Sequence, residues 1–269
     1  MTARIIVAAH KPYIMPDSPL YFPVHVGSAG KEDIGFARDD QGENISSLNP
    51  WYCELTGIYW AWKNLLPQLA AETGGDLSRV TMGTAHYRRY FSLRGSSPSR
   101  IPAGEALKQV LSEEELSKLA KASPIILPRK RCYYIETLRS HFIHAHGSAE
   151  LDLLRETIAS RNDVDLAAFD RVMQRRSIHL YNMFIMRGDL FDAYCSWLFP
   201  LLEQTAQAIK ESGREAAPRI YGFISERLLD VWLESCGHGY TETGCLMLEK
   251  VNWPKKIAAF VSRKLKGGR

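Results

Sequence analysis

An α/β fold with a mostly parallel central sheet is the class this sequence predicts, on three observations. Short apolar, β-branched runs end in polar loops, and amphipathic helical patterns follow them. The alternation fills the first half of the chain, while the second half is more helical.

The elements follow in order. RIIVAA at 4–9 reads as a buried parallel strand that ends in the polar loop His10-Lys11-Pro12-Tyr13. A second strand is expected at Phe22–Val26, then a loop rich in Gly, Asp, Asn and Ser over 30–49. One helix is expected from Pro50 to about Leu66, since Leu55, Ile58, Tyr59, Trp62 and Leu66 share a face and Asn49-Pro50 suits an N-cap with proline at N1. A third strand, Arg79–Ala85, delivers His86-Tyr87-Arg88-Arg89-Tyr90. A surface helix over 106–122, a strand at Pro124–Leu127 and helices near 134–145, 148–160 and 165–175 come next. A strand at Leu180–Met186, a long helix over 189–211 and a helix from Ser225 to Glu234 complete the pattern.

The 269 residues are 45% hydrophobic, 24% charged and 10% aromatic, which excludes a disordered, collagenous or coiled-coil chain and allows one large core. A net charge of +4 is too small to call for nucleic acid. No apolar run approaches the roughly 18 residues of a spanning helix. The opening MTARIIVAAHKPY lacks the shape of a signal peptide, and the five cysteines are scattered, so reduced thiols in a cytoplasmic protein are expected.

Ligands of parallel sheets bind beyond the carboxyl ends of the strands. The polar clusters at 10–13, 27–49 and 86–90 therefore converge on one mouth, with His10, Lys11, Tyr13, Asn44, Asn49 and Glu54 as candidate ligand contacts. Strand alternation would send His86 and Arg88 one way, Tyr87 and Arg89 the other. The guanidinium pair suits a diphosphate, against the plainer role of neutralising acids at a strand end. Ser225 reads as an N-cap and Glu226 as a first-turn acid, a capping role that competes with proton transfer. HFIHAH offers His141 and His144 on one helical face, but nothing completes a metal-ligand spacing. Asp163 and Asp165 fall between helices and are rejected as a cation site; Asp39 and Asp40 lie on the mouth and remain the metal alternative. No dinucleotide glycine pattern, P-loop or nucleophile elbow is present. The stretch 250–269 has seven basic and no acidic residues, which suits a basic amphipathic helix on an anionic bilayer or a solvated terminal helix.

The segments IIVAAHKPY, ENISSLNPWYCELTGIYWAWKN, GTAHYRRYF, ILPRKRCYYIETLRSHFIHAH, NMFIM, YGFISERLLDVWL and EKVNWPKK occur in this order. With them the chain resembles, from about 4 to 262, a bacterial family of capsular and exopolysaccharide gene clusters long catalogued as a domain of unknown function. The resemblance implies a GT-A-like glycosyltransferase, with some members galactofuranosyltransferases that use UDP-galactofuranose in an inverting reaction. Departures at Gly42–Ser46, Arg131 and Met82–Ala85 bear on donor identity. The resemblance further implies one catalytic domain over 1–249, its nucleotide-sugar half reaching about 130 and its acceptor half beginning at about 131, with the basic tail at 250–269. It implies a UDP-sugar donor, a lipid-linked or oligosaccharide acceptor, and a peripheral place on the inner face of the plasma membrane. Where such folds carry a cation-binding DxD, this chain has His86-Tyr87-Arg88, so arginine-assisted departure of UDP is expected, with Mg²⁺ or Mn²⁺ the alternative. Glu226 is the expected base and Asp230, one turn on, its reserve; Arg227, His141 and Asn182 fall to the acceptor side. A non-catalytic nucleotide-sugar or glycan-binding partner of polysaccharide assembly is the competing expectation.

Overall fold

The computed structural model describes residues 2–95, 101–161 and 163–249. The expected basic helix at 250–269 lies outside them. The strands are β1 (Thr2–Ala9), β2 (Tyr21–His25), β3 (Ala37–Arg38), β4 (Val80–His86), β5 (Arg89–Ser92), β6 (Ile125–Pro128), β7 (Arg131–Cys132), β8 (Ser177–Ile178), β9 (Ile185–Arg187) and β10 (Thr241–Met247). Eight form one sheet in the order β3-β2-β1-β4-β5-β10-β6-β9, in which β9 also pairs with β4. β7 and β8 form a separate antiparallel ribbon.

The sheet is parallel throughout from β3 to β4. Beyond it, β5 and β9 run antiparallel to β4, and β10 runs antiparallel to β5 but parallel to β6. The expectation of a mostly parallel sheet is thus corrected to a mixed one. Loops at 10–20 and 26–36 carry the chain between β1, β2 and β3, and the helical segment that starts at Asn49 crosses from β3 to β4 beside β1, whereas β4 and β5 are joined by a tight turn that forces reversal.

The helices are α1 (Asn49–Tyr52), α2 (Leu55–Trp60), α3 (Leu66–Glu72), α4 (Ala103–Leu107), α5 (Glu113–Ala122), α6 (Leu138–His146), α7 (Ala149–Arg161), α8 (Asp163–Met173), α9 (Gly188–Glu211) and α10 (Ile220–Cys236). Alternation along β1 sends Ile6 and Ala8 into the larger core, shared with Leu55, Ile58, Phe184, Leu198 and Leu228. Ile5, Val7 and Ala9 face the other core, closed by Leu107, Leu111 and Leu116 of α4, α5 and their connection. α5 starts at a capping box in which Ser112 and Glu115 exchange hydrogen bonds.

Three expected elements change. The helix from Pro50 breaks at Cys53, whose φ of 53° is left-handed, and resumes at Leu55 through a π turn at Ala61–Leu65. Asn49 is the first residue of α1 rather than its N-cap; its amide donates to the Cys53 carbonyl (2.7 Å) and so closes the break. The strand expected from Leu180 begins only at Ile185, because Tyr181 (φ 77°) and Asn182 (φ 50°) cannot lie in a sheet. The last expected helix begins at Ile220, so Ser225 lies inside it, buried, and is not an N-cap.

Candidate active site

Parallel register aligns the C-terminal ends of the first strands. Ala9 pairs with His25, His25 with Arg38, and Ala8 with His86. The loops at 10–13, after His25, after Arg38 and at 86–89 therefore open on one edge, as the crevice rule expects.

The HYRR cluster does not alternate as a continuous strand. His86 ends β4, Tyr87 and Arg88 make the turn, and Arg89 starts β5 opposite His86. Arg89 therefore belongs with His86, and Arg88 with Tyr87, a correction to the expected pairing. Tyr87 is the centre of an outer cluster: His10 and Tyr13 meet its ring edge-on at 5.3 and 5.0 Å, and Arg88 and Lys11 lie over it at 4.8 and 5.7 Å. Arg88 also pairs with Glu249 at 2.7 Å. Partial burial, then Arg88 and Lys11, push the His10 ring pKa down.

An inner cluster is built on the left-handed pair Tyr181–Asn182. The Tyr181 N–H donates to Glu226 (3.1 Å), and its carbonyl meets Nε2 of His86 (2.5 Å), which places the imidazole proton on that nitrogen. The Arg89 guanidinium lies 4.5 Å above the Tyr181 ring, and its buried Nε has no hydrogen-bond partner among the described residues. Asn182 donates to Glu54 at 2.7 Å and accepts from Ser225 at 2.9 Å, so it positions Glu54 from beneath. The break at Cys53 places Glu54 directly before α2. Gly222 of α10 lies against Cys53, where an added Cβ would come within 3.3 Å of its side chain.

Glu226 is inward-facing, with its side chain 19% exposed. Burial, reinforced by the Glu54 charge, raises its carboxyl pKa above the ordinary 4.5, while Arg227, the Tyr181 N–H and Arg89 pull the other way. Burial also lowers the His86 pKa, which keeps that ring neutral. The arrangement sets a proton-accepting carboxylate beside a second carboxylate, a neutral imidazole and a guanidinium whose Nε is unpartnered.

Other expected contacts have different roles. Asp230 is buried, and both its oxygens go to His179, one to the backbone N–H and one to Nδ1, each at 2.9 Å. That commitment removes it as a reserve base. Arg227 is buried too; it donates to the Phe223 carbonyl at 2.7 Å and lies over Phe142, so it has no face toward an acceptor. His141 packs on Tyr133 at 4.0 Å and His144 pairs with Glu136, so the HFIHAH histidines do not act together. Asn44 donates to the Asp40 and Gly42 carbonyls and shapes its own loop.

Asp39 and Asp40 do not fit a cation. Asp39 is buried and accepts from the Gly27 and Ser28 N–H groups and the Ser28 and Ser46 hydroxyls. Asp40 is held by the Arg38 fork, which depresses its carboxyl to about 2. Among the described residues no group of three His, Cys, Asp or Glu gathers to hold a metal ion. The residues sequence reasoning missed are Tyr181, whose left-handed backbone has no sequence signature, and His179, whose partners lie 51 and 63 residues away.

A search of curated proteins finds no match. Among solved structures, the chain is similar to the WbbM bifunctional glycosyltransferase in its apo form, with 26% identity and a TM-score of 0.79. The likeness covers 93% of this chain and 46% of that one, so the chain spans under half the length of its neighbour. The Glu54, His86, Arg89 and Glu226 cluster lies within residues 4–237, the span matched by the model of the domain of unknown function DUF4422, and the chain belongs to that family.

Proposed function

We propose that the protein is a glycosyltransferase that moves a hexosyl unit from a nucleotide sugar to a glycan acceptor in surface polysaccharide synthesis, with inversion. The observation that carries the reading is the meeting of Glu226 and Arg89 at Tyr181, at the strand ends where α/β sheets bind ligands. The likeness to the WbbM glycosyltransferase supports it.

In this mechanism Glu226 takes the proton of the acceptor hydroxyl as that oxygen attacks the anomeric carbon, and the bond to the diphosphate breaks on the opposite face. Its raised pKa suits a base that must bind the proton it removes. Arg89 receives the developing charge on the departing diphosphate. Arg88, paired with Glu249 on the outer cluster, is the secondary phosphate contact. The His10, Lys11 and Tyr13 loop covers the nucleoside, and no step runs through a metal. The acceptor enters from the half beginning at about residue 131, and the basic tail holds the enzyme on the inner face of the plasma membrane, near a lipid-linked acceptor.

UDP-galactofuranose is the first donor to test. The decisive measurement is UDP release from candidate UDP-sugars with and without acceptor glycans, with EDTA present. Acceptor-dependent release that persists in EDTA is expected. Binding of a nucleotide sugar without turnover on any acceptor would instead favour the non-catalytic partner.

A further inference from the structure

The short β7–β8 ribbon carries a tip that takes no part in the proposed chemistry. Tyr134 and Ile135 follow β7 and are 82% and 63% exposed, the most exposed large hydrophobic side chains among the described residues. The tip is tied in place. The Tyr133 N–H donates to the Arg176 carbonyl and the Leu138 N–H to the Arg175 carbonyl, each at 2.8 Å, and Arg176 Nη1 donates to the Tyr134 carbonyl at 3.2 Å. Between these bonds Tyr134 takes a left-handed φ of 55°, unfavourable for a residue with a Cβ. The backbone thus holds two apolar side chains out into solvent.

The surroundings are cationic. Arg129, Arg131 and Arg176 are exposed, and none has a carboxylate partner among the described residues. Arg131 lies over the Tyr133 ring at 5.6 Å. Lys130 donates to the hydroxyl of exposed Tyr240 at 2.8 Å, which adds a second aromatic edge to the patch. Glu136 is the one acid in 129–136 and 174–179, and it is buried and bonded to His144. Glu242, beyond Tyr240, is bonded to His179. Four cations therefore flank an aromatic and aliphatic tip with no free acid among them.

We infer that the β7–β8 ribbon is a docking surface for an anionic lipid bilayer. A bilayer matches both halves of the patch: tyrosine rings settle at the headgroup level, Ile135 reaches the acyl boundary, and the guanidinium groups meet lipid phosphates. An acidic protein surface would answer the cations alone. The ribbon is separate from the basic stretch at 250–269, so the folded part of the chain has a membrane contact of its own. Given the proposed glycosyl transfer, the contact also sets orientation. Tyr133, at the root of the tip, packs on His141 and lies within electrostatic reach of Glu226 and Tyr181. Docking brings the mouth beside the base to the bilayer surface, where a lipid-linked acceptor presents its sugar.

Vesicle co-sedimentation of the full chain at low salt tests this, with phosphatidylcholine alone and with about one-third phosphatidylglycerol. Tyr134→Gly/Ile135→Ser removes the apolar tip and suits the left-handed backbone, so its melting temperature should equal or exceed that of wild type. Arg131→Gln/Arg176→Gln removes charge and leaves the tip. Each pair should weaken binding to the anionic vesicles about tenfold or more, with UDP release on a water-soluble acceptor unchanged. Tyr134→Trp should gain fluorescence quenching by brominated lipid over wild type. Anionic-vesicle binding within twofold of wild type in either pair overturns the inference, as does a wild type that binds neither vesicle. A dimer in light scattering that Tyr134→Gly/Ile135→Ser abolishes, with vesicle binding intact, assigns the patch to a second copy and overturns it too. Lipid binding that follows the variants in a protein that turns over no UDP-sugar keeps the docking surface and sinks the transferase reading. UDP release with lipid binding indifferent to the variants does the reverse.

Discussion

Two pairs of acidic residues lie near the strand ends, and their surroundings treat them in opposite ways. Asp39 and Asp40 are met by two backbone N–H groups, two hydroxyls and an arginine fork, and Asp40 is driven to about 2. Glu54 and Glu226 are half-buried near one another; each takes one donor from the left-handed pair, Glu226 also meets Arg227 at 3.3 Å, and burial still pushes Glu226 up. The residue chemistry is almost the same; the supply of donors differs. A saturated acid fastens its loop, whereas Glu226, pushed up by burial, keeps the affinity for a proton that a base requires.

The largest expected effect is on the under-supplied pair. Glu226→Gln should lower sugar transfer by about 10²–10⁴-fold while UDP binding and folding persist. Transfer near the wild-type rate would reduce Glu226 to a packing acid and erase the contrast. On the saturated pair the damage should be to stability instead: Asp39→Ala strands four donors and should cost about 3 kcal/mol in chemical denaturation. A variant as stable as wild type would show that those bonds contribute nothing net.

Arg89→Ala should weaken UDP by roughly 10–100-fold, as for one charged hydrogen bond of about 1.5–3 kcal/mol, and Arg88→Ala by less because Glu249 already holds it. Equal losses from the two variants would contradict the division into inner and outer clusters. Glu54→Gln removes a charge that helps raise Glu226, so the acid limb of the rate profile should move to lower pH. An unmoved limb would uncouple the two glutamates.

The smallest effects lie in the pH dependence of stability, and their signs are opposite. Asp40 stabilises the fold fully above its ordinary value of 3.8 and loses that contribution as pH falls to about 2. Glu226, with its raised value, binds more protons folded than unfolded, so it lowers stability as pH climbs from 4.5 through its own pKa. Denaturation of Asp40→Asn and Glu226→Gln across pH should flatten those two windows separately.

How far the sequence carried follows from which signals were local. β1, β2 and β4 were legible because β-branched runs ending in polar loops are visible within a few residues, and their parallel ends did bring the 10–13 and 86–89 loops together. The two-residue β7 and β8, and β10, were not, since their pairing depends on partners far along the chain. Asp230 looked like a site residue beside Glu226 because helical spacing gives a face, not a neighbour, and His179 claimed it; Arg227 does touch Glu226, at 3.3 Å, but is buried over Phe142 rather than turned to an acceptor. Glu54 was placed at the crevice as part of the helix expected from Pro50, and the break at Cys53 that presents it has no sign in the helical pattern there.

The left-handed pair Tyr181–Asn182 has a consequence for how activity appears during folding. It ties residues 45, 95 and 128 positions apart in the chain: Tyr181 to Glu226, Tyr181 to His86, and Asn182 to Glu54. Contacts of that span must each overcome a large loop-closure entropy and form only when the chain between them is already organised. A nascent chain ending before α10 therefore lacks Glu226 and the Ser225 hydroxyl that steadies Asn182 under Glu54, however well its first strands have formed. The cluster is complete only once α10 is in place, and in thermal denaturation its contacts should be lost together with the global fold rather than ahead of it.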